Sequence, residues 1–319
     1  MKVLVTGGAG YIGSVVVDAL YSANHEVEVL DNLSKGHRDA LSSDVALHVV
    51  DLLDAGAVHR ILDRGFDAVM HFAACSLVGE SVDEPVRYFR TNVGGTLNLL
   101  DAMRSTGVRR LVFSSTAAVY GEPVSTPIVE SDPTVPTNPY GASKLAMDEV
   151  IRFEAAATDL AAVSLRYFNV AGASGQCGER HEPETHLIPL VLEAALGTRA
   201  AVNVYGTNYD TPDGTAVRDY IHVEDLARAH LLGLEATALS GHRVYNLGNG
   251  SGYSVRQVID VARTVTGRDI PVKETDRRAG DPAVLVASGD RIRAALGWWP
   301  RKPALEDMVR DAWAFAQAG

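Results

Sequence analysis

Tyr140 and Lys144 stand four residues apart in the run Asn138-Pro139-Tyr140-Gly141-Ala142-Ser143-Lys144. Where such a run opens a helix, the two side chains lie one turn apart on the same face. An ammonium there favours the phenolate and lowers a tyrosine pKa from its usual ~10 toward the working pH. A tyrosine tuned in this way takes a proton from an alcohol or sugar hydroxyl. The Tyr-x-x-x-Lys spacing recurs by chance, so its meaning depends on what surrounds it.

The start of the chain supplies that context. Lys2–Thr6 reads as a short buried strand, and Gly7-Gly8-Ala9-Gly10-Tyr11-Ile12-Gly13 follows at once. From Tyr11 to Ser22 the apolar residues recur at helical spacing, with Ile12, Val15, Val16, Ala19 and Leu20 as the buried stripe. Gly8-x-Gly10-x-x-Gly13 is the dinucleotide spacing, and Gly7, Gly10 and Gly13 form a related one. The early glycines allow a tight turn and close approach of a pyrophosphate, and the last lets helix pack on strand. The helix N-terminus adds amide donors and partial positive charge. A second strand, Glu26–Leu30, ends at Asp31, where a carboxylate binds the adenosine ribose hydroxyls. That acid repels a 2′-phosphate, which selects NAD over NADP.

Strand and helix patterns alternate through the first half. Further strands are expected at Ala46–Val50, Ala68–Phe72, Arg110–Ser115 and Ala162–Arg166, with helices at Ala55–Arg64, Glu84–Thr106 and Tyr140–Ala156. Alternation of this kind predicts an α/β fold, a Rossmann-type doubly wound parallel sheet with ligands at the carboxyl ends of its strands. Beyond about Ala171 the rhythm changes. Loop-rich stretches surround shorter helices at Leu187–Leu196, Val223–Glu235, Ser254–Thr266 and Ala304–Phe315. Residues 1–170 are therefore read as the NAD-binding domain. Residues 171–319 are read as a smaller α/β substrate-binding domain, with the return of some segments to the first left open.

The 319 residues suffice for a large core, and the formal net charge of −11 disfavours nucleic acid. No apolar run reaches the ~18 residues of a membrane span. The two cysteines, Cys75 and Cys177, make no disulfide framework, and a reducing cytoplasm is the simplest setting. No zinc-type spacing stands out, so no metal is expected.

Taken together, the glycine loop, Phe113–Gly121, Asn138–Lys144, Leu165–Asn169 and Asp210–Val223 resemble the extended short-chain dehydrogenase/reductase superfamily. Within it the chain resembles the UDP-glucose (UDP-galactose) 4-epimerases almost end to end. The resemblance implies C4 epimerisation of a UDP-hexose through a 4-keto intermediate, with bound NAD as transient hydride acceptor and residues 171–319 as the UDP-sugar-binding domain. Tyr140 would be the base and acid. Lys144 would tune it and hold the nicotinamide ribose, and the Thr116 hydroxyl would bond the reacting oxygen. Tyr11, Ile12, Asn32, Asp51, Leu52, Phe72, Ala73, Ala74, Asn92, Ser114 and Phe168 match cofactor positions beside the glycines and Asp31. Arg218 and Arg278 match arginines that clamp the diphosphate, and Asp281 a carboxylate on the uridine ribose. Asn169, His186, Leu187, Asn203, Tyr205 and Tyr220 match other substrate contacts. The helices at Glu84–Thr106 and Tyr140–Ala156 match those of a homodimer interface.

Four positions depart from the pattern. Ser76 replaces a lysine that reaches the cofactor, Ala118 a polar sugar contact, and His186 an asparagine near the diphosphate. Leu285 stands at the gate of the sugar pocket and is intermediate in bulk. UDP-N-acetylglucosamine therefore stays open as a substrate, as do UDP-xylose and UDP-glucuronate, whose C4 chemistry is the same. Sugar-nucleotide dehydratases carry an Asp-Glu pair after the threonine. Ala117-Ala118 cannot transfer protons, which argues against elimination. A sensor that binds the dinucleotide without turnover would have no need of Tyr140, Lys144 and Thr116 together.

Overall fold

A computed structural model describes residues 1–278 and 281–318. Lys2–Thr6 forms the strand β1, and its side chains alternate between two apolar layers. Val3 and Val5 join one buried cluster, and Leu4 joins another on the opposite face. Burying each such side chain contributes ~1.5–3 kcal/mol, which fixes β1 in the middle of the molecule.

From β1 the chain runs through α1 (Tyr11–Ser22), β2 (Glu26–Asp31), β3 (Ala46–Val49), α2 (Ala55–Leu62), β4 (Ala68–His71), α3 (Val78–Asp83), α4 (Pro85–Tyr88) and α5 (Gly95–Thr106). Then come β5 (Arg110–Thr116), α6 (Pro139–Ala157), β6 (Ala161–Tyr167), β7 (Asn169–Ala171), α7 (Leu187–Leu196), β8 (Val202–Tyr205), β9 (Val217–Arg218), β10 (Tyr220–His222) and α8 (Val223–Ala236). The remainder is β11 (Gly241–Leu247), β12 (Tyr253–Ser254), α9 (Val255–Thr266), β13 (Val272–Thr275), β14 (Val284–Leu285), α10 (Asp290–Leu296) and α11 (Leu305–Ala318).

The main sheet has the strand order β11-β6-β5-β4-β1-β2-β3, and every pairing in it is parallel. Leaving β1, the chain goes first to β2 and β3 on one side, then to β4, β5 and β6 on the other. The order reverses between β1 and β4, the place where doubly wound sheets open a ligand crevice. Helices α1 and α8 cover one face, while α2, α5 and α6 cover the other.

One feature differs from the sequence reading. The helix expected over Glu84–Thr106 is broken by a π-helical turn at Phe89–Gly94. Asn92 lies in that turn and directs its amide at the backbone of Cys75 rather than outward. The edge strand β11 and helices α8 and α10 come from beyond residue 170 and return to pack on the first sheet, a return the sequence reading left open. Trp298 is fully buried against α8, its indole N–H donating to the Asp225 carbonyl at 3.0 Å, but Trp299 is exposed.

Beyond β6 the small sheets are β10-β7, β13-β8 and β12-β9-β14. Helices α7, α9 and α11 enclose a separate apolar cluster beneath them. Asp219 ties this region together, its buried carboxylate accepting from the backbone N–H of Asn249 (2.7 Å), Gly250 (3.0 Å) and Ala287 (3.0 Å).

Candidate active site

The glycine loop joins β1 to α1. Gly7 has φ +72°, and a Cβ there would run into the Ala73 backbone. At Gly13 a Cβ would strike the Gly7 carbonyl, so that residue is glycine for close packing. Gly10 is different. Its φ is −81°, and the nearest atom to an added Cβ is the Gly7 oxygen at 3.4 Å. The protein's own packing does not require glycine there, whereas a pyrophosphate lying against the backbone does. Gly10 also offers no side chain to cap α1. The first-turn amides of Tyr11, Ile12 and Gly13 thus lack a side-chain acceptor and suit an anion.

Asp31 ends β2 and is buried. It accepts from Ala9 N–H (3.0 Å) and Leu33 N–H (2.8 Å), which hold its carboxyl at the crevice. Burial raises its pKa; the two amides and His37 oppose that. Asn32 donates to Asp51 at 2.9 Å, and Leu52 packs under Gly95. Phe72 lies against the His230 ring, and Ala73 and Ala74 follow β4. These residues surround the carboxyl ends of β1, β2 and β4, and their donor set fits a dinucleotide.

Thr116 ends β5, and its hydroxyl accepts from Ala118 N–H at 3.2 Å. Asn138 caps α6 by accepting from Gly141 N–H at 2.9 Å, with Pro139 in the first turn. A Cβ on Gly141 would collide with the Ala118 carbonyl. That close approach brings Tyr140 against Thr116. Burial raises the Tyr140 pKa, and the Thr116 hydroxyl opposes the rise.

Lys144 lies one turn further along α6, against the carboxyl end of β5. Its ammonium donates to the Ser114 carbonyl at 2.8 Å and lies over the Phe113 ring, 4.9 Å from its centroid. Burial lowers the Lys144 pKa to about 8, against an opposing pull from Asp148 and Cys75. Ser114 hydrogen-bonds the Tyr167 hydroxyl. Burial, and then Tyr140, raise the Tyr167 pKa. Asn92 bonds both Cys75 and Ser143, so it fixes the loop after β4 to α6.

On the other side of the crevice, Arg218 pairs with Asp281. Leu285 is the register partner of Arg218 in the β9–β14 pair. It packs in one apolar cluster with Phe168, Leu145 and Tyr120. Burial raises the Tyr220 pKa to about 12, with Arg218 and the Asn169 side chain opposing. Arg278 stacks 3.8 Å over the Tyr205 ring, and Asn203 reaches the Tyr205 hydroxyl at 3.4 Å. Tyr209 feels the charges of Asp281, Arg218, Arg277 and Arg278 together, which places these groups in one neighbourhood. Ala279 and Gly280, within the Arg277–Asp281 run, lie outside the described residues.

Leu187 opens α7 beside His186, and His186 pairs with Glu184 at 2.8 Å. Burial disfavours the charged imidazole, but the Glu184 hydrogen bond and the Glu179 and Glu184 charges outweigh it and raise its pKa. Ser76 is exposed. His71 bridges Thr6 (2.7 Å) and Thr96 (3.0 Å), and burial depresses its pKa to about 3, so it is a neutral structural residue. The sequence reading missed Asp148, Tyr167 and Asp219. Asp148 had a usable signal, since it lies one further turn along the face that carries Tyr140 and Lys144.

The parallel sheet, the uncapped glycine turn, the strand-end acid and the Tyr140–Lys144–Thr116 group define a dinucleotide-binding protein of the Rossmann class. The model of the NAD dependent epimerase/dehydratase family matches residues 3–248, and the chain belongs to that family. It is 55% identical to the UDP-glucose 4-epimerase of Corynebacterium glutamicum, over 100% of this chain and 96% of the relative. It is 56% identical to the UDP-glucose 4-epimerase of Streptomyces lividans, over 98% and 95% of the two chains. The crystal structure of the Brucella ovis UDP-glucose 4-epimerase in complex with NAD superposes with a TM-score of 0.95 at 44% identity, covering 98% of each chain. No helix among the described residues is long and apolar enough to cross a membrane.

Proposed function

We propose that this chain interconverts UDP-galactose and UDP-glucose at C4 of the hexose, with NAD held as a resident cofactor. The observation that carries this reading is the meeting of Tyr140 with Thr116 at the carboxyl end of β5, one helical turn from Lys144. When bound, NAD supplies a reversible hydride acceptor, so the net reaction is redox-neutral. Gly7, Gly10 and Gly13 admit its pyrophosphate to the α1 N-terminus, and Asp31 takes a ribose hydroxyl.

Thr116 holds the sugar 4-oxygen against the Tyr140 phenol. Tyr140 removes the C4 hydroxyl proton from one epimer and returns it to the other. Lys144 supplies positive charge behind that exchange, which grows in value inside a water-excluded site. Arg218 and Arg278 offer planar forks to the diphosphate, and Asp281 exchanges its Arg218 contact for the uridine ribose. Ala117 and Ala118 provide no acid or base for loss of water. Purified chain incubated with UDP-galactose should yield UDP-glucose on chromatographic resolution of the 4-epimers. Absence of any conversion sinks the proposal.

A second reading concerns breadth of substrate. Leu285 is the register partner of Arg218 and packs with Phe168, which supports its reading as the gate of the sugar pocket. Its intermediate bulk is compatible with an N-acetyl group at C2. Leu285→Tyr should suppress turnover of UDP-N-acetylglucosamine more than that of UDP-glucose, and equal losses remove Leu285 as the gate.

The chain also forms a cytoplasmic homodimer in this proposal, through α3, α4, α5 and α6. Val82, Val86, Phe89, Leu97 and Phe153 on these segments are large apolar side chains left exposed, which supports an interface there.

A further inference from the structure

Between β7 and α7 the chain passes Glu179, His181, Glu184 and His186. One ligand atom from each residue lies within 4.8 Å of all the others. The two pairs differ in character. His186 Nδ1 and Glu184 Oε1 are 2.8 Å apart in hydrogen-bond geometry. His181 Nδ1 and Glu179 Oε1 are 2.6 Å apart, yet they form no hydrogen bond, and both atoms are buried without any other partner. The imidazole nitrogen and the carboxylate oxygen are in ion-pair contact, but neither has a hydrogen bond, so both keep a lone pair that a cation can take. Unpaired buried polar atoms are costly, and a cation there satisfies both.

Charge argues in the same direction. Burial, and then the nearby charges of Glu179 and Glu184, raise the pKa of the Tyr11 phenol at the mouth of the glycine loop. Two carboxylates beside an anion-binding turn repel the anion unless something neutralises them. The segment is also well anchored. Arg180 makes a two-pronged pair with Asp39 (3.0 and 2.8 Å), Lys35 donates to the Glu182 carbonyl, and Glu184 Oε1 accepts from the N–H of Thr185 and His186. A donor set held this way needs little ordering when an ion arrives.

We propose that Glu179, His181, Glu184 and His186 form a binding site for one divalent transition-metal ion, with Zn²⁺ the best match to two imidazoles and two carboxylates. Zinc takes such ligands at about 2.0–2.2 Å in a tetrahedron, so donors sit roughly 3.3 Å apart. The His186–Glu179 separation of 3.9 Å and the shorter His186–Glu184 and His181–Glu179 pairs require only small side-chain shifts to reach that spacing. Bound there, the ion clips the 179–186 segment over the glycine loop and cancels its negative charge. This inference does not depend on which sugar is turned over, since its readout is the metal itself.

The test is titration of the full, untagged, chelator-stripped chain with Zn²⁺ by calorimetry, with elemental analysis for stoichiometry. One ion per chain is expected, with affinity lowered roughly tenfold or more in His181→Ala and in Glu179→Gln. Should either variant fail to fold, the wild-type chain loaded with Co²⁺ decides, since a tetrahedral site gives strong visible d–d absorption. No stoichiometric ion, an affinity untouched by both substitutions, or a Co²⁺ spectrum like that of the free hydrated ion overturns the proposal and leaves two His–Glu pairs.

Discussion

Tyr140 carries the proton transfer in the proposed reaction. Tyr140→Phe should lower kcat by about 10²–10⁴ while leaving the thermal transition and NAD content unchanged; near-normal turnover removes the residue from its role. Lys144 and Asp148 form a deeper layer on the same helical face. Asp148 accepts from Ser115 (3.0 Å) and from the Arg166 guanidinium (3.1 Å), all of them buried. Its charge opposes the burial that lowers the Lys144 pKa to about 8. Because that folded value lies below the ordinary lysine value of 10.5, the buried ammonium costs stability at neutral pH. The cost is relieved as pH rises from about 8 toward 10.5. Activity that needs the ammonium should therefore fall as pH passes about 8. In Asp148→Asn the alkaline limb of the kcat profile should move to lower pH. A limb that stays in place, with only stability reduced, shows Asp148 to be structural.

At the scale of elements, the site depends on how closely α6 meets the turn after β5. Gly141 faces the Ala118 carbonyl with no room for a methyl group. Gly141→Ala should force α6 outward, costing about 1–3 kcal/mol in urea unfolding. It should also lower kcat by parting Tyr140 from Thr116; unchanged kcat in a destabilised variant uncouples that contact from chemistry. The π turn at Phe89–Gly94 works similarly. It rotates Asn92 toward Cys75 and Ser143 and so fixes the loop after β4 against α6. Such turns in otherwise regular helices are frequent at functional sites.

At the scale of the whole molecule, the crevice has one wall from the first sheet and one from the small sheets, joined through Phe168 and Leu285. Asp219 holds the second wall by three backbone amides and thereby sets Arg218 and Tyr220 on either side of itself. The exposed apolar residues of α3 to α6 lie elsewhere on the surface. If they form the proposed dimer interface, Val86→Glu combined with Phe153→Glu should yield a monomer in light scattering. A dimer that persists at micromolar concentration places the interface on another surface.

Much of this was legible in the residues themselves. Glycine spacing, an acid ending the second strand, and apolar periods of 2 and 3.6 are local properties, so they set the glycine turn, Asp31, the alternating strands and helices, and the helix that carries Tyr140 and Lys144. The helix Leu187–Leu196 was readable to its ends, since Gly197 stops it in the left-handed conformation. Tertiary structure decided what depends on distant partners. The sequence does not show that Lys144 turns to the Ser114 carbonyl, because that contact spans 30 residues. Nor does it show that β11 completes the first sheet, because a strand finds its neighbour by burial across the whole chain. The histidines and glutamates of residues 179–186 match no familiar metal spacing, and only their folding beside Tyr11 brings four donors to one point. Tyr140 and Thr116, 24 positions apart in the chain, become partners because a glycine lets one helix approach one strand end.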